Sequence, residues 1–166
     1  MGGAPGLEIQ ILQAESTAEV EAARELFQEY QRQLGLNLGF QGFAEELATL
    51  PGAYAPPAGR LLLAVQGDRF LGCIALRPLS DGDCEMKRLY VRPEGQGLGL
   101  GRRLTEILLA EAKTIGYRRL LLDTLPSMST AQRLYESLGF ADIAPYRENP
   151  VLGTRLMALE LAGRAE

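Results

Sequence analysis

Histidine is missing from this chain of 166 residues. That one absence excludes Ser-His-Asp and Cys-His nucleophilic machinery in their usual forms, and most zinc sites with them. Acid–base chemistry has to come from Glu, Asp, Tyr, Lys, Cys or water. Cysteine is nearly as scarce. Cys73 and Cys84 have no metal-ligand spacing and read as reduced thiols of a cytoplasmic protein, with no metal expected. No apolar run approaches the roughly 20 residues that a membrane-spanning helix needs, so no membrane partner is expected. Residues 1–6 (MGGAPG) are too short and polar for a signal segment and are expected to be disordered. There is no basic excess either. A formal charge of −4 argues against a nucleic-acid partner, since phosphates would go unneutralised.

What is present is the composition of an ordinary globule, 46% hydrophobic and 23% charged, long enough for one domain, placed at residues 7–166. Residues 7–13 alternate apolar and polar, which predicts a strand. Ser16-Thr17-Ala18-Glu19 is a capping box, and Val20, Ala23, Leu26, Phe27, Tyr30 and Leu34 then recur at helical spacing up to Gly35. A short helix is predicted over 43–50. Strands at 60–65 and 69–77 are joined by a tight hairpin at Gln66-Gly67-Asp68. A turn at 80–83 leads to a strand at 84–91, and a helix at 99–115 ends at Gly116. Residues 119–124 (RLLLDT) read as a strand buried on both faces. Ser129-Thr130-Ala131-Gln132 reads as a second capping box, opening a helix to about residue 138, and a last strand covers 156–161. Strands and helices in this order predict a mixed sheet with helices on both faces.

The most informative stretch is residues 91–104, VRPEGQGLGLGRRL. Gly97, Gly99 and Gly101 clear side chains from alternate positions, so the backbone can approach a ligand. The helix that follows opens with Arg102 and Arg103 and no acid. Cations are unfavourable at a helix N-terminus unless an anion joins them, and free N–H groups there favour phosphate. A P-loop would end in Gly-Lys-Ser/Thr, but here Arg102 and Arg103 follow Gly101. A dinucleotide turn, G-x-G-x-x-G, would need its last glycine at Arg102 or Leu104, although Asp123 lies near the distance of a ribose-binding acid. The third pattern, Gln/Arg-x-x-Gly-x-Gly/Ala, is met by Gln96, Gly97, Leu98, Gly99, Leu100 and Gly101. A glycine-rich loop with no ligand is the plain alternative.

That third pattern resembles the pyrophosphate-binding motif of the GNAT N-acetyltransferases. Two more segments resemble the same family: Ala131-x-x-Leu134-Tyr135-x-x-x-Gly139-Phe140, and residues 85–91 (EMKRLYV) as its central strand. The resemblance implies an α/β (α+β) fold, a twisted mixed sheet splayed open after the central strand. It implies acetyl-CoA as co-substrate, its pantetheine paired to the backbone of Leu89 and Val91 and its pyrophosphate held between Gln96 and Arg102. The partner implied is an amine acceptor, a small molecule or a peptide, and a homodimer is compatible with the family. Members often carry Asn three positions before the motif alanine. This chain has Met128 there, with Ser127 and Ser129 as the neighbouring hydroxyls able to substitute.

Amine acetylation needs a neutral amine and a proton for the departing thiolate. Strand alternation puts Glu85, Lys87, Leu89 and Val91 on one face, which makes Glu85 the candidate base, with a pKa raised by partial burial and pulled back down by nearby Lys87. Its alternative role is a carboxylate paired with Lys87 or Arg88. Tyr135 is the candidate acid, expected at the edge of an apolar helix face; its alternative role is a core tyrosine. Cys73 and Cys84 lack a histidine to activate them as acyl carriers. Arg77, Tyr146, Arg147 and Asn149, with Tyr54 and the region from Phe40 to Phe43, are candidates for the acceptor pocket. A second class is an acyl-CoA sensor without turnover; a third, a nicotinamide-dependent oxidoreductase suggested by the glycine turn and Asp123, fails on the missing third glycine and on the turn's position after several strands.

Overall fold

The computed structural model describes residues 8–35, 42–147 and 151–161. Its elements are β1 (Ile9–Gln13), α1 (Thr17–Leu34), α2 (Phe43–Thr49), β2 (Arg60–Gln66), β3 (Arg69–Pro78), β4 (Asp83–Val91), α3 (Leu100–Ile115), β5 (Arg119–Thr124), α4 (Ser129–Ser137), β6 (Ala141–Asp142) and β7 (Arg155–Glu160). The expected disorder of residues 1–6 and the candidates Phe40 and Asn149 lie outside the described residues.

The strands form one sheet in the order β1-β2-β3-β4-β5-β7-β6. All neighbours are antiparallel except β4 and β5, which α3 joins by the crossover a parallel pair requires. This is the expected mixed sheet, with helices on both faces. On one face α3 and α4 pack Leu104, Leu108, Ala112 and Tyr135 onto Leu62, Ile74, Leu76, Met86, Leu120 and Met157. On the other, α1 packs Ala23, Leu26 and Phe27 onto Leu61, Leu63, Cys73, Ala75 and Tyr90. Phe27 and Leu26 are wholly buried, which stabilises the fold by about 1.5–3 kcal/mol each.

The local signals act as the sequence predicts at α1. Ser16 accepts from the Glu19 amide at 3.1 Å, and Glu19 accepts from the Ser16 amide at 3.0 Å. The second capping box does not form. Met128 is the N-cap of α4, with no side-chain cap, because Ser129 already belongs to the helix and Gln132 donates to the Leu125 carbonyl instead.

Two irregularities of β4 shape the rest. Its parallel pairing with β5 covers only Asp83, Cys84 and Glu85 against Arg119, Leu120 and Leu121, so beyond Glu85 the two strands part. Opposite β3 the register slips between Cys73 and Ala75, where β4 carries one extra residue. Arg88, at φ +63°, is that residue. A left-handed arginine costs about 1–3 kcal/mol unless its surroundings hold it. Here they do. Glu46 accepts two hydrogen bonds from the guanidinium, at 2.9 and 2.8 Å, Phe43 stacks beneath it at 5.0 Å, and the Cys73 thiol donates to the Arg88 carbonyl.

Candidate active site

The bulge corrects the expected facing of β4. An extra residue reverses alternation, so Leu89 and Val91 share a face with Cys84 and Met86, while Glu85 and Lys87 face α1 with Tyr90. Glu85 is therefore on the opposite face from the residues it was expected to accompany. Leu89 and Val91 sit where β4 has lost β5 as a neighbour, which leaves that backbone edge to a ligand.

A cleft of about 800 Å³ runs along this edge. Leu89 and Val91 line it, and so do Gln96, Gly97, Gly99, Leu100, Gly101 and Arg102 from the turn and the first turn of α3. Gly97 and Gly99 adopt φ +80° and +74°, which other residues avoid, whereas Gly101 has ordinary helical geometry. Gly99 is the N-cap of α3, without a side-chain cap and without an acid in the first turn. The first N–H groups of the helix have no intrahelical acceptor, so an anion placed here meets both free donors and the positive end of the dipole. Leu98 is exposed, Arg102 reaches across to Ser137 at 2.6 Å, and Ser127, Met128 and Ser129 close the cleft from the α4 side. These residues fit a pyrophosphate-bearing ligand extended along β4.

At the fork between β4 and β5 lies a small cavity of about 30 Å³, room for a water or two, lined among others by Tyr30, Lys87, Asp123, Met128 and Tyr135. Tyr135 is the most deeply buried residue of α4, not an edge residue as expected. Its hydroxyl has no hydrogen-bond partner among the described residues, and burial pushes its pKa above that of an ordinary tyrosine.

Glu85 is wholly buried and its oxygens are taken. Arg77 donates to Oε1 at 2.9 Å, Tyr146 donates to Oε2 at 2.7 Å, and Arg147 also bonds Oε2 while bridging to Asp123 at 3.1 Å. Burial alone would raise its pKa, but Lys87, the Tyr146 hydroxyl and the two guanidiniums together hold it at about 2. Of the two expected influences, the lowering by Lys87, joined by Tyr146 and the guanidiniums, outweighs the raising by burial. Of the acceptor-pocket candidates, Arg77, Tyr146 and Arg147 meet at this carboxylate, and Tyr54 lines a separate hollow of about 240 Å³ with Arg77, Glu45 and Glu46.

A family model for the acetyltransferase (GNAT) family matches residues 17–140. The chain belongs to the GNAT family. An uncharacterised N-acetyltransferase of Schizosaccharomyces pombe is 42% identical, over 82% of this chain and 85% of that one. Among solved structures, a GNAT acetyltransferase of Staphylococcus aureus superposes with a TM-score of 0.78 at 20% identity, covering 93% of this chain and 100% of that one. A Salmonella typhimurium acetyltransferase described with its cofactor acetyl-CoA superposes at 0.66 and 21%, covering 95% and 96%. The chain is accordingly an N-acetyltransferase of this family, and no helix among the described residues is long and apolar enough to cross a membrane.

As a GNAT protein it shows the splay after the central strand that the resemblance implies. Sequence reasoning missed the inward position of Lys87 and the part played by Asp123 beside it. No local signal singled out Lys87, because its strand also carries Asp83, Glu85 and Arg88. The dinucleotide reading fails on topology, since the glycine turn follows the fourth strand and Asp123 is engaged by Arg147.

Proposed function

We propose that this GNAT enzyme transfers the acetyl group directly from acetyl-CoA to a primary amine within a ternary complex, without an acyl-enzyme. The observation that carries the reading is Tyr135, a buried hydroxyl without a hydrogen-bond partner among the described residues, in a small cavity that shares Tyr30, Leu34, Leu89 and Met128 with the cleft of the anion cradle. Acetyl-CoA supplies the activated acyl group. Residues Gln96, Gly97, Leu98, Gly99, Leu100, Gly101 and Arg102 hold its pyrophosphate, the backbone of Leu89 and Val91 aligns its pantetheine, and Ser129 contributes a hydroxyl from α4. Tyr135 protonates the leaving thiolate. Both groups lose water at the same place, so burial raises the proton affinity of the thiolate along with that of the phenol. Cys73 and Cys84 are unsuited to carry the acyl group, because burial raises both thiols, Cys84 to about 12.

Glu85 is better read as an anchor than as the base, since Arg77, Tyr146 and Arg147 occupy its oxygens. The acceptor enters from the opposite side of the sheet, past Glu45, whose charge favours a cationic amine. That fits a small amine or a peptide amine, and the free buried thiols fit the cytoplasm.

The test is thiol release from acetyl-CoA across peptide N-termini, lysine peptides, amino acids and polyamines, with Tyr135→Phe beside the wild type. The variant is expected to lose on the order of 10² to 10⁴ in kcat with CoA affinity unchanged. Tight CoA binding with no turnover on any amine would instead support an acyl-CoA sensor.

A further inference from the structure

Two lysines occur in the whole chain, Lys87 and Lys113, among 17 basic residues. Lys113 is exposed on α3. Lys87 is 7% exposed, lines the fork cavity together with Tyr135, and has no hydrogen bond or ion pair among the described residues. A buried ammonium without a partner is costly. The carboxylates facing it, Glu85 and Asp123, accept hydrogen bonds from other side chains and not from Lys87. Glu85 on its own strand is taken by Arg77 and Arg147, and Asp123 on β5 is taken by Arg147. Arg88, beside it on β4, is a further cation, while Tyr30 of α1 and Tyr135 of α4 are phenols. Two carboxylates against Arg77 and Arg147 already balance, so a charged Lys87 would be a net excess.

We propose that Lys87 stands in the fork as a free amine and takes the proton that the acceptor nitrogen must lose before it attacks the thioester. This rests on the acetyl-transfer reading above. The acceptor arrives as an ammonium. The Lys87 nitrogen lone pair accepts one of its protons, directly or through a cavity water. The neutral amine then forms a bond to the acyl carbon, the carbon–sulfur bond breaks, and the thiolate takes a proton from the Tyr135 hydroxyl. The amide nitrogen sheds its second proton, which restores Tyr135, and Lys87 returns its own proton to water as products leave. Burial lowers the pKa of Lys87, whereas Glu85 and Asp123 draw it back up, which steadies the ammonium once it forms. With Lys87 neutral, Glu85 keeps the Tyr146 hydrogen bond and the Arg77 and Arg147 ion pairs. No histidine competes for the task.

The experiment uses the full chain with ¹³C-labelled lysine, which gives two assignable ε-methylene signals. Lys87 is expected to titrate clearly below Lys113; if both titrate together, the free-amine assignment is wrong. In parallel, pH–rate profiles of Lys87→Met and Lys87→Arg are compared with wild type on the best amine of the panel. Both variants should lose on the order of 10² to 10⁴ in kcat near neutral pH, recover part of it at alkaline pH, and bind CoA as before. A raised KM confined to carboxylate-bearing amines, with kcat and pH profile unchanged, would overturn the proposal in favour of charge recognition. Wild type that turns over no amine defeats the transferase reading itself, whereas active wild type with unaffected variants defeats only the role of Lys87. Thermal stabilisation by CoA shows that each variant is folded.

Discussion

Glu85 shows how far a single residue's surroundings can redirect its chemistry. Its carboxyl is held at about 2 in the folded protein, against 4.5 for the ordinary side chain. A depressed carboxylate contributes stability that is fully present above the unfolded value and is lost as pH falls through the folded one. The window therefore lies between about 4.5 and about 2, and the contribution is on the order of 3 kcal/mol with Lys87 charged and smaller with Lys87 neutral. Glu85→Gln, which leaves Arg77 and Arg147 facing a neutral amide, is expected to cost about 3–5 kcal/mol at neutral pH. The deficit relative to wild type should shrink as pH falls through that window, measured by denaturant unfolding at a series of pH values. A deficit that stays constant down to the acid limit would mean that the Glu85 charge is not what the pocket uses. Part of this was legible in the sequence: the pairing of this glutamate with neighbouring cations was one of its two readings. Its true partners were not, because Arg77, Tyr146 and Arg147 come from segments up to 62 residues away.

At the scale of elements, the glycine turn and α3 make one device. Gly99 sits at φ +74° with nothing within 4 Å of an added Cβ, so the protein itself leaves room for a side chain while the backbone resists one. Gly99→Val should therefore weaken CoA binding both by strain and by crowding the cradle, by about tenfold or more, with a stability loss of about 1–3 kcal/mol. Isothermal titration with CoA checks this; a folded variant that binds as tightly as wild type removes the cradle from the site. The turn, the α1 capping box and the order of elements were all readable, because each depends on residues close in sequence. The facing of Glu85 was not. Counting by two assumes an unbroken strand, and nothing in the local letters announces that Arg88 takes a left-handed conformation. What holds it there is Glu46, 42 residues away. The second capping box failed for a related reason: the pattern fits, but α4 begins one residue early and Gln132 finds the Leu125 carbonyl.

For the whole molecule, the mixed sheet with helices on both faces follows from the pattern of apolar runs, whereas the fork depends on a pairing that stops short. On the proposal that CoA completes the open edge of β4, CoA at about 100 times its Kd should add about 2.7 kcal/mol and raise the melting temperature by about 5–10 °C. NAD should leave it unchanged, and a shift with NAD equal to that with CoA would contradict the site. The strands on either side of the fork are well knit, β1 to β4 on one side and β5 to β7 on the other, yet within the sheet three residue pairs join them, among the described residues. Mechanically this is two stiff plates on a short weld. Its softest motion should be a scissoring of the plates about Asp83, Cys84 and Glu85, with its largest travel at Val91, at the far end of β4 from the weld. Hydrogen exchange should then report amides of Leu89 and Val91 opening far more often than those of Leu62 or Leu63, and slowing together once CoA stiffens the joint.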